Sequence, residues 1–386
     1  MLSATPGASV RRPLLPLLTT LLAVACLGDS GDKGDKGDKG DKDGAPTDDS
    51  QPAEDLLGYD LLFSVTDLQT VTRLRLGPDA READPDSTVV WTFEQATIWG
   101  ANGLKTHGLN LFGQTIYVGA LDYFTEGAAY TIDVKSGALI EELYAPKGVI
   151  FGGEPSQTNT RATHNIIPWG DDLISSDTHN NRVLGVSRDW QPRWEISTET
   201  LTDPYMRSLF SNPNDVELIL RDGVEHLMVS ARGDNFNHVM LFAPVLPERV
   251  GDPPWSLVFR YPDINDSTLL NQNHNPTALA DGSGFYVSDS GNNRILFITW
   301  DGEVTRQIPG ADCAAPTGRA VLDWPRDAAF TPEGTMLVAD SRNDRVVEFD
   351  LSEDDCLTEE DVLWVRGGIE ETYNLVLLPH TDGWAE

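Results

Sequence analysis

The sequence is poor in cysteine, in lysine, in long apolar runs and in helical periodicity, and each shortage narrows the class of protein. Three cysteines in 386 residues leave room for few disulfides. No segment approaches the roughly 20 apolar residues that a membrane-spanning helix needs. Lysine is scarce and the formal net charge is −33, which disfavours nucleic acid and anionic membrane surfaces as partners. We therefore expect an acidic body that binds no nucleic acid.

The N-terminal segment has the order of a secretory signal. A positive pair, Arg11 and Arg12, precedes an uncharged and mostly apolar run over residues 13–25, and Cys26 follows. The tetrapeptide that ends at Cys26 is similar to the lipobox of bacterial lipoproteins, in which the cysteine is acylated. We predict a signal peptide over residues 1–25 and lipidation of Cys26. The expected location is the cell envelope, periplasmic or outer surface, with membrane contact through the lipid only.

A low-complexity segment separates this signal from the rest of the chain. Residues 28–42 repeat Gly-Asp-Lys almost perfectly, but five triplets without proline could not hold a collagen triple helix. We predict a flexible tether over residues 26–56 and a folded body over residues 57–386.

Internal repeats determine the expected fold of that body. The pattern D-x-x-N-x-R-[IV] begins at Asp177, Asp289 and Asp340, each time after a short apolar strand, and a degenerate copy starts at Val229. The interval from Asp177 to Asp289 is about twice the next one, and the degenerate copy divides it. All the intervals therefore correspond to a period of roughly 50 residues. Such a period, with four short strands per unit, is typical of a propeller blade. The Asp and Asn of the motif suit a turn, and the Arg is expected to reach a partner on the next blade.

Counting blades gives five complete units and two leftover ends. The five are residues 99–145, 160–196, 212–260, 272–308 and 324–366. Residues 59–76 and 88–93 resemble outer strands without an inner one, and residues 373–379 resemble an inner strand alone. Joining both ends into one blade closes the ring and removes its exposed edges. We therefore predict an all-β, six-bladed β-propeller closed by strands from both termini, and a monomer.

Polar residues gather where the six inner strands begin. At one matching position the strands carry His107, His164, Asn214, His274, Arg326 and Tyr373. At the next position they carry Gly108, Asn165, Asp215, Asn275, Asp327 and Leu375, or Asn374 if the last strand is displaced by one. Since successive residues of a strand point to opposite sides, only one row is expected to face the channel fully.

These segments resemble a known family. His164-Asn165-Ile166, His274-Asn275-Pro276 and the run 324–328, each followed by a hairpin and the Asp…Arg motif, resemble arylsulfotransferase-like propellers. The same segments are similar to NHL repeats. The first resemblance implies that His274 or His164 is sulfurylated by an aryl sulfate and passes the group to a phenol. It further implies that His107 acts as acid, base or sulfate ligand, and that Arg326 binds the anion.

Two other functions fit the same residues. A metal-dependent lactonase-like or lyase-like propeller could hold zinc on His107, His164 and His274, or calcium on Asn165, Asp215, Asn275 and Asp327. A non-enzymatic NHL-type module would bind a protein ligand at the channel mouth, with the polar side chains binding structural water. In every version Asn214, Tyr373 and Asn374 are expected to contribute to binding in the channel.

Cys313 and Cys356 are the cysteines left for a disulfide. In an oxidising compartment they could pair. Cys313 falls between two blades, and Cys356 falls between the third and fourth strands of one blade. These two kinds of loop lie on opposite faces of a propeller, so the topology argues against pairing.

Overall fold

The structure is a computed structural model, in which residues 59–76, 88–99, 105–121, 127–143, 163–189, 191–233, 236–263, 269–351 and 355–379 are described. All of them lie in the unit Pro52–Glu386. The predicted signal peptide, Cys26 and the predicted tether lie outside the described residues. Within the described ranges, no helix has the length and apolar character needed to cross a bilayer.

The chain forms six four-stranded antiparallel sheets, as the repeat predicts. Five of them are built from consecutive strands: Lys105–Phe112, Thr115–Leu121, Gly127–Asp133 and Leu139–Leu143 (β4–β7); Thr163–Trp169, Asp172–Asp177, Arg182–Ser187 and Pro192–Ser197 (β8–β11); Pro213–Arg221, Val224–Gly233, Phe236–Pro244 and Trp255–Tyr261 (β12–β15); Asn273–Ala278, Gly284–Asp289, Arg294–Thr299 and Val304–Ile308 (β16–β19); Pro325–Phe330, Met336–Asp340, Arg345–Phe349 and Val362–Gly367 (β20–β23). The described residues also form two short α-helices, Ala96–Trp99 (α1) and Pro204–Leu209 (α2).

The sixth sheet confirms the predicted closure by both chain ends. Its strands are Tyr59–Val65 (β1), Thr70–Leu76 (β2), Val89–Glu94 (β3) and Thr372–Pro379 (β24). The last strand of the chain is the inner strand and pairs antiparallel with the first, from Tyr59 opposite Pro379 to Val65 opposite Thr372. The ring is thus completed by backbone hydrogen bonds between the first and the last strand of the propeller.

The apolar core is divided among the six gaps between neighbouring blades. Each gap contains one cluster of buried side chains from the two sheets that flank it. Because each blade packs only on its neighbours, stability does not depend on apolar side chains along the central axis. The axis is therefore available for polar groups.

The repeated turn is tied together by its own residues, which corrects the predicted role of the arginine. Arg182 Nε donates to Asp177 Oδ2 at 2.8 Å, and Asn180 Nδ2 donates to the same carboxylate at 3.0 Å. The copies at Asp289 and Asp340 repeat this pattern. The arginine turns back to its own aspartate because that buried carboxylate needs a cation.

The residue before the arginine supplies a link to the next blade. Asn181 and Asn293 adopt φ of +55°, which asparagine tolerates. In this left-handed conformation, Asn181 Oδ1 accepts from Asn212 N and Asn293 Oδ1 accepts from Trp324 N, both at 2.9 Å.

A disulfide joins Cys313 to Cys356, so the expectation against pairing is wrong. The two Cα atoms are 5.4 Å apart. Both cysteines lie in long connections, whose described parts at residues 309–324 and 355–361 meet along the gap between the last two complete blades. Gly310 N donates to Asp355 O at 2.9 Å, and the guanidinium of Arg306 pairs with the Asp355 carboxylate. Connections of this length can leave their own faces, so the topological argument fails.

Candidate functional site

Every inner strand carries an irregularity that lets two consecutive residues line the channel. The pairing of the inner strand with its neighbour shifts register between Thr106 and Leu109, Thr163 and Ile166, Pro213 and Asp215, His274 and Thr277, and Pro325 and Asp327, and in the closing blade between Phe63 and Val65. A β-bulge re-aims side chains that strict alternation would send to opposite faces. The expectation that only one row faces the channel is therefore wrong.

The first row meets around the ring of Tyr373. The Tyr373 hydroxyl lies 3.1 Å from His164 Nδ1 and accepts from Asn214 Nδ2 at 3.2 Å. The His107 ring lies 4.6 Å, between centroids, from both the His164 ring and the Tyr373 ring. One tyrosine hydroxyl thus joins His164 of one blade to Asn214 of the next.

His274 belongs to the same row, and one of its ring nitrogens contacts an arginine. Its Nδ1 lies 2.8 Å from both the Gln272 carbonyl and Ser290 Oγ, and its Nε2 lies 2.6 Å from Arg232 Nη1. A carbonyl can only accept, so Nδ1 carries the hydrogen and the Nε2 lone pair accepts from the guanidinium. His274 is therefore a neutral imidazole whose second nitrogen is already occupied.

Arg326 completes the first row. Its guanidinium lies over the Tyr373 ring at 4.8 Å, and Nη2 is 3.8 Å from Glu371 Oε1. Its Nε and Nη1 are buried without a hydrogen-bond partner. Burial, followed by the charge of Arg326, holds the pKa of His107 well below its usual value, and burial followed by the charge of Arg232 does the same for His274. The first row therefore combines neutral histidines with fixed positive charge.

The second row forms a floor of amides and carboxylates across the channel. Asn165 Nδ2 donates to Asp215 Oδ1 of the next blade. Asn374 Nδ2 donates to Asp327 Oδ2 at 2.6 Å, and the backbone nitrogen of Leu375 donates to the same oxygen at 2.7 Å. The structure thus places Asn374, rather than its neighbour Leu375, in this row.

Glycine is required at the remaining position of the row. A Cβ on Gly108 would lie 2.6 Å from the His164 carbonyl oxygen and 2.8 Å from Cγ of Asn165. Any larger residue there would push the adjacent blade away from the axis.

A cavity of about 510 Å³ begins at this floor and is walled by the later residues of the inner strands. All five predicted polar residues of the second row line it: Asn165, Asp215, Asn275, Asp327 and Asn374. Its walls include Leu109, Phe112, Phe330 and Leu377. A concave site with apolar walls and a few convergent polar groups is the usual form of a small-molecule site.

Glu217 also lines the cavity and was missed at the sequence level. It stands two residues after Asp215 on β12, so the alternation of a regular strand places both carboxyls on one side. That spacing could have identified it. Arg232, which contacts His274, was missed because it lies on the second strand of its blade, in the degenerate copy of the turn motif.

The three carboxyl groups of the cavity hold their protons unusually tightly. Burial raises the pKa of Asp215 to about 6 and that of Asp327 to about 8. Burial, followed by the charges of Asp215 and Asp327, raises the pKa of Glu217 well above its usual value. Titratable groups perturbed in this way and exposed to one cavity mark a candidate catalytic site.

The predicted metal sites differ in how well their residues fit. Among the described residues, no three His, Cys, Asp or Glu side chains are grouped so that they could hold a metal ion. The histidine set predicted for zinc is thus not such a group, and His274 Nε2 is occupied by Arg232. The set predicted for calcium has the right donor chemistry, because Asp215, Asp327 and the buried, unpartnered Oδ1 of Asn275 offer oxygens. Calcium there stays a prediction.

No protein-family model and no curated protein matches this chain. Solved structures do match. A periplasmic gluconolactonase from Pseudomonas aeruginosa superposes with a TM-score of 0.52 at 14% identity, covering 84% of this chain and 100% of that one. The nidogen/laminin complex gives 0.52 at 13% identity, covering 83% and 98%. A putative 6-phosphogluconolactonase from Bacteroides uniformis gives 0.50 at 11% identity, covering 83% and 100%. At such identities the likeness concerns the fold: this chain is a six-bladed β-propeller whose structural neighbours include lactonases.

Proposed function

We propose that this protein is a hydrolase of small esters or lactones and that the cavity above the second row is its active site. One observation carries the proposal. Two carboxyl groups that face this cavity, Asp215 and Asp327, have different affinities for a proton. Titratable groups whose pKa values are pushed apart are suited to act as base and acid in one reaction.

Each carboxyl has a defined role at neutral pH. Asp215, with a pKa of about 6, is mostly ionised and takes a proton from a water molecule, whose oxygen then forms a bond to the substrate carbonyl carbon. Asp327, with a pKa of about 8, retains its proton and gives it to the alkoxide oxygen when the acyl C–O bond breaks. Asn165 orients Asp215 through its amide nitrogen, and Asn374 together with the Leu375 backbone orients Asp327. Bound calcium would supply Lewis acidity toward a carbonyl oxygen.

Asp215→Asn tests this proposal, with Asp222→Asn as the matched control. Asp222 lies in the hairpin that follows the same strand, is exposed and has φ of +53°, which asparagine tolerates. We expect Asp215→Asn to lower kcat for aryl esters and γ-lactones by about 10² to 10⁴-fold, the usual contribution of a general base. The control should retain full activity. Parallel assays with a chelator would reveal any dependence on calcium. An absence of turnover in the wild-type protein would favour the binding-module alternative.

Sulfuryl transfer is a second candidate, and Arg326 is the residue that favours it. The two unpartnered nitrogens of its guanidinium are suited to sulfate oxygens. Since His274 Nε2 already accepts from Arg232, the nucleophile in this version would be His107 or His164. Turnover of an aryl sulfate with a phenol acceptor, lost in His164→Ala, would support the transferase over the hydrolase.

We further propose that the protein is exported to the cell envelope, as the N-terminal pattern predicts. The disulfide between Cys313 and Cys356 supports this, because disulfides persist in oxidising compartments. Labelling of the protein with a fatty-acid analogue, abolished by Cys26→Ser, would test the lipid anchor.

A further inference from the structure

Many of the donors at the floor of the cavity already bond within the protein. The side-chain amide nitrogens of Asn110 and Asn275 each make two hydrogen bonds to protein oxygens, and those of Asn165 and Asn374 make one each. The Tyr286 hydroxyl donates to the Ala328 carbonyl at 3.1 Å. A ligand that takes hydrogens from Asn110, Asn275 or Tyr286 would have to break internal bonds.

Acceptors at the same floor are left over. Asn275 Oδ1 and Glu217 Oε2 are buried and have no hydrogen-bond partner. The Asn275 side chain is held in place by its nitrogen, which donates to the Arg326 and Tyr373 carbonyls at 3.0 and 3.2 Å. Its oxygen therefore cannot exchange places with the nitrogen to find a partner. A buried acceptor without a donor is costly, and a ligand that supplies donors would remove that cost.

The charge around the cavity has one sign. Its described lining contains Asp215, Glu217 and Asp327 but no lysine, arginine or histidine. The cations of the channel, Arg232 and Arg326, belong to the histidine row and do not line this cavity. An anionic ligand would meet the ionised Asp215 and two further acidic groups without a compensating cation, whereas a bound cation would favour the ionised form of these groups.

The walls above the floor are apolar. Leu109, Leu111, Phe112, Phe330 and Val376 line the cavity above the acidic groups. A ligand that fits this arrangement has an apolar body and a donor-rich, positively charged end.

We propose that the substrate of this cavity carries an ammonium group on an apolar body, with the ammonium at Glu217 and Asn275. This inference rests on the proposed hydrolase site and names its substrate class, an amine-bearing ester or lactone. It excludes phosphorylated and carboxylated substrates, which would place an anion beside the acidic groups.

Three probes of similar shape test the inference by calorimetry on the full chain: benzylamine, benzyl alcohol and benzoate at pH 7. We expect benzylamine to bind at least 10-fold more tightly than benzyl alcohol, and benzoate not to bind. Glu217→Gln should reduce the benzylamine affinity at least 10-fold and leave that of benzyl alcohol unchanged. The control Glu303→Gln, at an exposed position in the outer part of another blade, should bind like the wild type.

Comparable binding of benzylamine and benzyl alcohol by the wild-type protein would overturn the inference, as would stronger binding of benzoate. Benzylamine binding that is equal in wild type and Glu217→Gln would also overturn it, because it would reflect the net charge of the protein rather than the cavity. The wild-type ranking needs no variant to fold. Ester hydrolysis is measured separately, so a protein that prefers the ammonium probe but hydrolyses no ester would contradict only the proposed function.

Discussion

The hydroxyl of Tyr373 lies 3.1 Å from Nδ1 of His164, although 209 residues separate them in the chain. Tyr373 is on β24, the strand that closes the ring by pairing with β1. The same strand therefore completes the fold and supplies the aromatic ring at the centre of the histidine row. The strand pairing that closes the propeller thus also brings Tyr373 to the other residues of the histidine row.

Tyr373→Phe should leave His164 Nδ1 and Asn214 Nδ2 without their shared partner. Loss of hydrogen bonds from buried polar groups costs about 1–3 kcal/mol, so the free energy of unfolding should fall by that amount while the circular dichroism spectrum is retained. The nitrogen chemical shifts of His164 should change, because Nδ1 loses its hydrogen-bond partner. Tyr261→Phe is the control, because the Tyr261 hydroxyl has no hydrogen bond among the described residues. An equal loss in both variants would contradict the role of the hydroxyl.

The pH dependence of ester hydrolysis should report Asp215. Because the raised pKa of this carboxyl is about 6, kcat/KM should fall as the pH is lowered through about 6, where the base becomes protonated. The decline should persist in Asp222→Asn. A rate that is constant between pH 5 and pH 7 would rule out Asp215 as the base.

Stability should also depend on pH through Asp327. Its pKa is about 8 in the folded protein, above the 3.8 of a free aspartate, so the folded state holds the proton more tightly than the unfolded chain. The stability this provides is full below pH 4 and is lost as the pH rises through 8. Relative to Asp327→Asn, the wild-type free energy of unfolding should fall by up to about 1.4 kcal/mol per pH unit in that window. Urea denaturation at several pH values measures this, and a difference independent of pH would contradict it.

Reduction of the Cys313–Cys356 disulfide should destabilise the protein without unfolding the ring. It closes a loop with a sequence separation of 43 residues, and removal of such a bond typically costs about 2–4 kcal/mol. The double variant Cys313→Ser/Cys356→Ser should melt at the temperature of the reduced wild type and should not respond to reductant. A variant as stable as the oxidised wild type would contradict this prediction and would mean that the noncovalent contacts of Asp355 suffice to hold the connections together.

Gly108→Ala tests how closely the blades approach at the second row. The new Cβ would meet the His164 carbonyl at 2.6 Å, so we expect a loss of about 1–3 kcal/mol and weaker ligand binding in the cavity. Gly367→Ala is the matched control, since a Cβ there meets nothing within 4 Å. Binding of benzyl alcohol and thermal melting of both variants give the comparison.

Much of the fold could be predicted because it follows from local pattern. The turn motif at Asp177, Asp289 and Asp340 marks the same hairpin three times, and its spacing sets the size of a blade. The strands left over at the two ends of the chain are expected to pair with each other, because an unpaired strand exposes backbone N–H and C=O groups that lack hydrogen-bond partners. The match of Tyr59 with Pro379 confirms this.

The site could be predicted only in part. The residues of both rows were identifiable in the sequence, since they recur at one position of each repeat. The rule that successive side chains of a strand point to opposite faces predicted wrongly where these side chains point. A β-bulge breaks that rule, and a pattern of polar residues does not reveal the bulge. Arg232 and the disulfide were beyond prediction for a related reason: each depends on how a second strand or a long connection is placed in space.

Sequence alone determined that this chain is a ring of six blades and which polar residues lie at the start of its inner strands, because both follow from repetition. Tertiary structure decided which of those residues share a surface, which protons they hold and where a cavity opens. Those properties arise from burial and from contacts between blades, and neither exists until distant segments have met around a common axis.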